Sequence, residues 1–285
     1  MNALAQARVP AAAAVDCARL GRLAIVSLHA ELACAPKPGL VTPFDRGSHT
    51  DMDAGSFLRS LFALRHYFRN VAQAGADDAP FCVLRGHGIA AEAAMLRATG
   101  GVNTHRGAIF SLGLLVAAAA ACRRERGGVI TADAVCVAVQ RWAPALAVAP
   151  LDPDSPGQRA RAQHGIAGVR EQAIAGYPLL RGIGVPVLRD ALAAGLPREA
   201  ALCHTLMHLM AHTDDLNLLH RGGAQGLAWA RAQAARFIAD GGAFAPQWRS
   251  RLQQLGDAFV ARRLSPGGSA DLLACSWFLL QQERA

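Results

Sequence analysis

Of 29 basic side chains one is lysine, and it stands between two prolines in Ala35-Pro36-Lys37-Pro38-Gly39-Leu40-Val41. A compact ammonium on a thin stem fits where a flat guanidinium fork does not, so Lys37 marks a position that asks for a point charge. Four glycine turns stand beside polar or basic residues. They are Arg46-Gly47-Ser48-His49-Thr50-Asp51, Thr99-Gly100-Gly101-Val102-Asn103-Thr104-His105-Arg106-Gly107, His220-Arg221-Gly222-Gly223 and Ser265-Pro266-Gly267-Gly268-Ser269-Ala270-Asp271. Each reads as a turn that opens a helix, where unpaired N–H groups and the positive end of the dipole face outward. Glycine lets a phosphate approach such a backbone, and a nearby Arg or Lys completes the neutralisation. One turn of this kind is ordinary capping; four in one chain point to a polyphosphate. None is a Walker loop or a dinucleotide fingerprint.

Acidic residues lie near the same turns. Asp45, Asp51 and Asp53 surround His49, and Asp214-Asp215 precedes Asn217 and the Arg221 turn. A hard cation such as Mg²⁺ takes a few carboxylate oxygens together with phosphate oxygens. For Asp51 and Asp53 the competing explanation is stabilisation of a helix start. Asp214-Asp215 reads as a helix end, where acids are unfavourable, so a functional role is expected there. His204, His208 and His212 recur every four residues, but no His-Glu-x-x-His pattern accompanies them, and they read as a polar seam rather than a zinc site.

The elements that must position these residues are helices. Ala, Leu and Arg dominate, β-branched runs are scarce and period-3.6 patterns fill most windows. The pattern predicts an all-α protein with helices at 11–35, 52–75, 88–98, 105–125, 131–148, 158–175, 179–194, 198–213, 223–240, 245–262 and 270–283. In helix 52–75 Phe57, Leu58, Leu61, Phe62 and Phe68 are assigned to the buried face, and Thr50 with Asp53 to a capping pair. Phe81-Cys82-Val83-Leu84 is the one candidate strand. The glycine loops are expected to converge on a central cleft of a single helical domain over 1–285, with a lobe division near 150–157 as the alternative.

Composition narrows the function. Hydrophobic residues make up 52% and charged residues 18%, which excludes a disordered chain. The net charge of +8 fits nucleic acid, a membrane surface or small polyanions. Aromatics are few and the arginines form no tail or block, so a basic cleft for a small anion is preferred and nucleic acid is not expected. Seven scattered cysteines without a Cys-x-x-Cys pair read as buried thiols of a reducing compartment. The apolar run from Ala108 to Cys122 falls short of the ~20 residues of a membrane span. No signal peptide is recognised, and a cytoplasmic protein that does not engage the membrane is expected.

Taken together, Glu31, Pro36-Lys37-Pro38-Gly39-Leu40-Val41, Gly47-Ser48-His49-Thr50-Asp51-Met52-Asp53, the Thr99–Gly107 segment, Asp215-Leu216-Asn217 with Arg221-Gly222-Gly223, and Ser265–Ala274 resemble the triphosphoribosyl-dephospho-CoA synthase family. The matching segments run in order through most of the chain. Arg106 and Gly47-Ser48-His49 place the resemblance nearest the branch that serves malonate decarboxylase rather than citrate lyase. Leu216 departs from the small hydroxyl residue expected between the Asp and Asn. The resemblance implies a transferase that joins ATP to 3′-dephospho-CoA, with adenine leaving. Its product, 2′-(5″-triphosphoribosyl)-3′-dephospho-CoA, would be the precursor of an acyl carrier protein's prosthetic group, handed to a carrier-protein phosphoribosyl transferase.

Within that implication, Lys37, Arg106 and Arg221 are expected as phosphate cations. Asn103, Thr104, Asn217 and Ser269 are expected as hydrogen-bonding partners, and Gly100, Gly101, Gly222, Gly267 and Gly268 as backbone contacts. Asp45, Asp51 and Asp215 are the Mg²⁺ candidates. Substitution at an anomeric carbon builds positive charge on the sugar and negative charge on the departing base. Glu31 is therefore the candidate base or oxocarbenium stabiliser, and His49 and His105 the candidates to protonate or position the leaving base. Two readings compete: an Mg²⁺-dependent N-glycosidic hydrolase of a nucleotide, and a non-catalytic Arg-rich helical protein that binds nucleic acid.

Overall fold

The computed structural model describes residues 15–150 and 165–284. Among these the chain is helical with no strand. The first helix, α1 (Cys17–Ala33), starts at Asp16, whose carboxylate accepts the Arg19 N–H at 2.7 Å. Then come α2 (Ala54–Ala76), α3 (Phe81–Thr99) and α4 (Arg106–Arg126). The interval 131–148 is not one helix but α5 (Ala132–Ala138), a 3₁₀ turn over Val139–Trp142, and α6 (Ala143–Val148), which has a proline in its first turn. α7 (Val169–Ile174) follows; the rest of the expected 158–175 helix up to 164, and 151–157 of the expected lobe division, lie outside the described residues. A π-helical turn at Leu180–Gly184 leads into α8 (Val185–Ala193), and then α9 (Arg198–His212), α10 (Leu216–Ala239), α11 (Trp248–Ala261) and α12 (Gly267–Glu283) complete the order.

The centre is α4. From Ala108 to Cys122 its residues are buried, apart from Phe110, as expected of a helix apolar all round. By length and composition alone α4 could cross a membrane, yet 78% of its most apolar window is buried against other helices of this chain. α2, α12 and α1 pack around it. Small residues set the separations: a Cβ on Gly75 of α2 would lie 2.1 Å from the Ala117 carbonyl oxygen. The buried core continues from Cys17 through α8, α9 and α12 to Leu280.

Three local expectations change. Phe81-Cys82-Val83-Leu84 is the first turn of α3 and not a strand, because a four-residue apolar run after Pro80 fits a helix start equally well. On α2, Leu61 and Phe68 are buried, whereas Leu58 and Phe62 are 40% and 69% exposed, so the apolar face is narrower than the pattern implied. Asp53 is itself the N-cap of α2, accepting the Ser56 N–H at 2.9 Å, and Thr50 plays no part in that cap.

Candidate active site

Three long helices begin at one cleft of about 510 Å³: α4 at Arg106, α10 at Leu216 and α12 at Gly267. Their leading N–H groups lack intrahelical partners, and several meet side-chain acceptors instead, Asp215 at α10 and α12 and Asn103 at α4. Asn103, Thr104, His105, Arg106 and Gly107 come from the loop before α4 and its first turn. Asp215, Asn217 and Arg221 come from the start of α10, and Gly267, Gly268 and Asp271 from the start of α12. Glu31 at the end of α1 and His49 from the loop before α2 complete this set.

Asp215 locks two of these helix starts together. One carboxylate oxygen accepts the N–H groups of Asn217 (2.9 Å) and Leu218 (3.3 Å), and the other accepts Ser269 N–H (2.8 Å) and Ser269 Oγ–H (2.9 Å). It is therefore an N-cap at a favourable position, and the expectation that it follows a helix end is wrong: α9 has already stopped at His212. With both oxygens doubly used and the residue 1% exposed, Asp215 has little to offer a metal. Burial pushes its pKa up, and the four hydrogen bonds oppose that shift. Ser269 is fully buried in this lock and does not line the cleft.

Lys37 is buried with its side chain fully enclosed, and its ammonium donates to the Glu31 carbonyl oxygen and to Glu31 Oε1, both at 2.5 Å. Burial works against its charge, but the Glu31 carboxylate, with smaller help from the Cys34 and Cys203 thiols, raises its pKa overall. The expectation of a compact cation is met, with a different partner from the phosphate expected. Lys37 sits behind the cleft wall, closes the end of α1 and holds Glu31 in place.

His49 is held from both sides. Arg221 Nη2 donates to its Nδ1 (3.1 Å), which leaves Nε2–H to donate to Ser265 Oγ (2.9 Å). Burial and then the Arg221 charge lower its pKa. Arg221 also donates to the carbonyl oxygens of Ser48 (3.2 Å) and Arg263 (3.4 Å), so this pair ties the 46–53 loop to α10 and to the start of α12. His105 differs. Its Nδ1 lies 2.7 Å from Ser60 Oγ and 3.2 Å from Thr104 Oγ1, while Nε2 is buried at the cleft without a hydrogen-bond partner. Burial, with a contribution from Lys37, lowers its pKa to about 3, so the ring is neutral at physiological pH.

The glycines divide by role. Gly267 and Gly268 line the cleft, where a Cβ would strike Asn217 Nδ2 at 2.6 Å and the Asp215 carboxylate at 3.2 Å respectively. Gly100 and Gly101 do not line it. Both have positive φ and end α3, with the Gly101 N–H bonded to the Leu96 carbonyl oxygen at 2.7 Å. Gly222 packs against Leu264, and Arg221-Gly222-Gly223 lies inside α10, which breaks its helical geometry at Gly223 (φ 62°). Asp45 accepts Gly47 N–H at 2.7 Å and Thr42 Oγ1–H at 3.3 Å, closing its own turn outside the cleft lining. Asp51 is exposed, 3.7 Å from His49 Nδ1. Asp45, Asp51 and Asp215 thus do not meet, and no group of three His, Cys, Asp or Glu side chains among the described residues is arranged to hold a metal ion. His204 accepts the Ala243 N–H and lies edge-on to His208 at 4.6 Å, which supports the polar seam.

Several cleft residues were absent from the sequence-based set. Glu92 of α3 pairs with Arg106 Nε at 3.1 Å. Asp214, which was expected with Asp215 to have a functional role, lines the cleft too and pairs with Arg231 at 2.6 Å. Residues 167–172 form a further wall. Asp271, quoted only as part of a motif, faces the cleft so closely to α4 that a Cβ on Gly107 would lie 2.0 Å from its Oδ2. Burial, and then the neighbouring carboxylates of Glu31 and Asp215, push its pKa well above the ordinary range, with the Ala108 N–H opposing.

Comparison with known proteins agrees with this geometry. A family model described as ATP:dephospho-CoA triphosphoribosyl transferase matches residues 17–285. The chain is 41% identical over 263 residues to the 2-(5″-triphosphoribosyl)-3′-dephosphocoenzyme-A synthase of Pectobacterium atrosepticum, covering 89% of this chain and 85% of the relative. It is 37% identical over 269 residues to a probable synthase of the same name from Acinetobacter calcoaceticus, covering 93% and 91%. A probable synthase from Salmonella typhimurium is 35% identical over 291 residues, covering 98% and 96%. No solved structure matches. With the match running through every helix start that forms the cleft, the chain belongs to the ATP:dephospho-CoA triphosphoribosyl transferase family and is a transferase acting on ATP and dephospho-CoA.

Proposed function

We propose that the cleft transfers the 5-triphosphoribosyl unit of ATP to the 2′-hydroxyl of 3′-dephospho-CoA and releases adenine. A bond forms between the acceptor oxygen and the anomeric carbon of the ATP ribose. The carbon–nitrogen bond to adenine breaks, and its electron pair leaves with the base. The hydroxyl proton passes to a carboxylate, and adenine takes up a proton. The observation that carries this reading is the meeting of three helix starts, Arg106 and Arg221 with the deep acids Glu31 and Asp271.

The two acids suit separate tasks. Glu31 is held in place by the Lys37 ammonium, and a carboxylate positioned at the cleft stabilises developing positive charge on the ribose. Asp271, whose pKa burial and its acidic neighbours raise, holds a proton more tightly than an ordinary carboxylate and so suits the proton acceptor. Ser60 donates to His105 Nδ1 in this reading, so that Nε2–H faces the departing adenine as a neutral donor. Arg106, Arg221 and the first residues of α12 take the triphosphate. His49 positions Arg221 and is not a proton donor, because both of its nitrogens are engaged.

Magnesium enters with ATP as part of the substrate. Among the described residues no three donors are grouped as a metal cage, and an ion carried on phosphates needs only one or two protein oxygens. The product is assigned to the prosthetic group of the malonate decarboxylase carrier protein through Arg106 and His49, both of which line the cleft. The seven cysteines are free and six are buried, which supports a reducing compartment such as the cytoplasm as the site of the reaction.

Purified protein mixed with Mg-ATP and dephospho-CoA should give the coupled product by mass spectrometry, and a 2′-deoxy acceptor should give none. Coupling to the 2′-deoxy acceptor would show that another oxygen attacks. Duplex binding with a steep salt dependence and no product would favour the nucleic-acid reading instead.

A further inference from the structure

A second cavity of about 300 Å³ adjoins the cleft. The two share Glu92, Phe110 and Arg170 as lining, so one opens into the other beside the Glu92–Arg106 ion pair. The walls of the side cavity are largely apolar: Tyr67, Leu84, Ile89, Leu114 and Leu146 join Phe110. Tyr67 spends its hydroxyl on the Ile109 carbonyl oxygen (2.8 Å) and turns its ring to the space. Gly113 makes this possible, since a Cβ there would lie 2.0 Å from the Tyr67 oxygen.

On α3 the residues Leu84, Arg85, Gly88 and Glu92 lie on one face, which forms a wall of the cavity. Gly88 is the informative member. Glycine inside a helix costs about 1 kcal/mol relative to alanine, so packing or stability alone does not favour it. A Cβ at Gly88 would find no neighbour nearer than the Tyr67 oxygen at 4.0 Å. The missing side chain therefore keeps the cavity open. Ile89 at the same cavity is 55% exposed, an apolar side chain outside the packed core of the described residues. Arg170 donates to the carbonyl oxygens of Ala149 (2.7 Å) and Pro150 (3.2 Å) and fixes the opposite wall.

We propose that this side cavity receives the pantetheine arm of dephospho-CoA, with the diphosphate held at the junction near Arg170. The inference rests on the reading that the main cleft binds dephospho-CoA. The arm is uncharged and carries a geminal dimethyl group, two amides and a thiol. That chemistry matches an apolar channel with a few polar groups at its entrance, and the volume is that of a small-molecule site.

The test is Gly88→Leu, which fills the cavity and raises helix propensity, so folding is not put at risk. The expected result is a rise of at least about 10-fold in KM for dephospho-CoA, with KM for ATP unchanged. Calorimetric binding gives a second readout: wild type should bind dephospho-CoA more tightly than ADP, which lacks the arm, and the variant should lose that difference. Ile89→Asp, at an exposed position, should act in the same direction. Equal discrimination between dephospho-CoA and ADP in wild type and both variants would overturn the proposal. Absence of any dephospho-CoA turnover by the wild type would instead overturn the function on which it rests.

Discussion

Replacing Lys37 by methionine separates two jobs that one cation could perform. The side chain is fully enclosed and its ammonium touches only Glu31 among the acids. Met keeps the stem and removes the charge, leaving a buried carboxylate unpaired. Breaking a buried pair from one side costs about 3–5 kcal/mol, a large part of the ~5–15 kcal/mol that holds a domain folded. At about 2.1 cal/mol/K per residue, a chain of this length has an unfolding entropy of roughly 0.6 kcal/mol/K, so the melting temperature should fall by roughly 5–8 °C. Lys37→Arg should not rescue it, because the fork is wider than the slot and overpacking costs about 1–3 kcal/mol. The double variant Lys37→Met with Glu31→Gln removes both charges and should recover most of the lost stability while remaining inactive. Thermal unfolding by circular dichroism and kcat/KM for ATP measure the two effects separately. A Lys37→Met protein that melts like wild type and only binds ATP less tightly would refute this reasoning and return Lys37 to the phosphates.

Other consequences follow from single residues. Asp271 holds its proton more tightly in the native state than the usual 3.8 of an unfolded chain, so its contribution to stability falls as pH rises from about 4 toward its raised value. Asp271→Asn should remove that slope in pH-dependent melting and lower kcat by about 10²–10⁴-fold. His105 has the opposite sign: its pKa drops from 6.5 to about 3, so the native state loses stability as pH falls through that window, by about 1.4 kcal/mol per unit. His105→Gln should flatten the acid limb of the melting profile. Arg221→Ala removes charged hydrogen bonds worth about 1.5–3 kcal/mol, and kcat/KM for ATP should fall about 10–100-fold, mostly through KM. Gly75→Ala forces a Cβ against the Ala117 carbonyl and should destabilise by about 1–3 kcal/mol without changing activity per folded molecule.

The helices and the convergence of their starts were legible because caps and apolar periods are local signals. The Thr99–Gly107 and Ser265–Asp271 turns read as helix starts and both open helices at the cleft, whereas Asp214-Asp215 reads as a helix end and Asp215 instead caps α10. Local signals misled where two structures share one spelling. Gly100-Gly101 ends α3, yet a glycine pair just before a helix reads the same from sequence whether it closes one element or opens the next. Arg221-Gly222-Gly223 reads as a turn, but the Asp215 cap carries α10 through Arg221 before its geometry breaks. Lys37 is expected at the phosphates, whereas its ammonium meets Glu31, six residues earlier, which is assigned from sequence as a base or oxocarbenium stabiliser and not as a partner for it. Glu92 opposite Arg106, the 167–172 wall and the side cavity depend on contacts far apart in sequence, for which no spacing rule exists.

The central claim is that the cleft couples loss of adenine to attack by a second nucleotide's hydroxyl. Chromatographic quantification of adenine from Mg-ATP, with and without dephospho-CoA, tests it most directly. One adenine per dephospho-CoA consumed, and essentially none without the acceptor, is the predicted result. Adenine released at the same rate in the absence of dephospho-CoA would make water the acceptor and contradict the account.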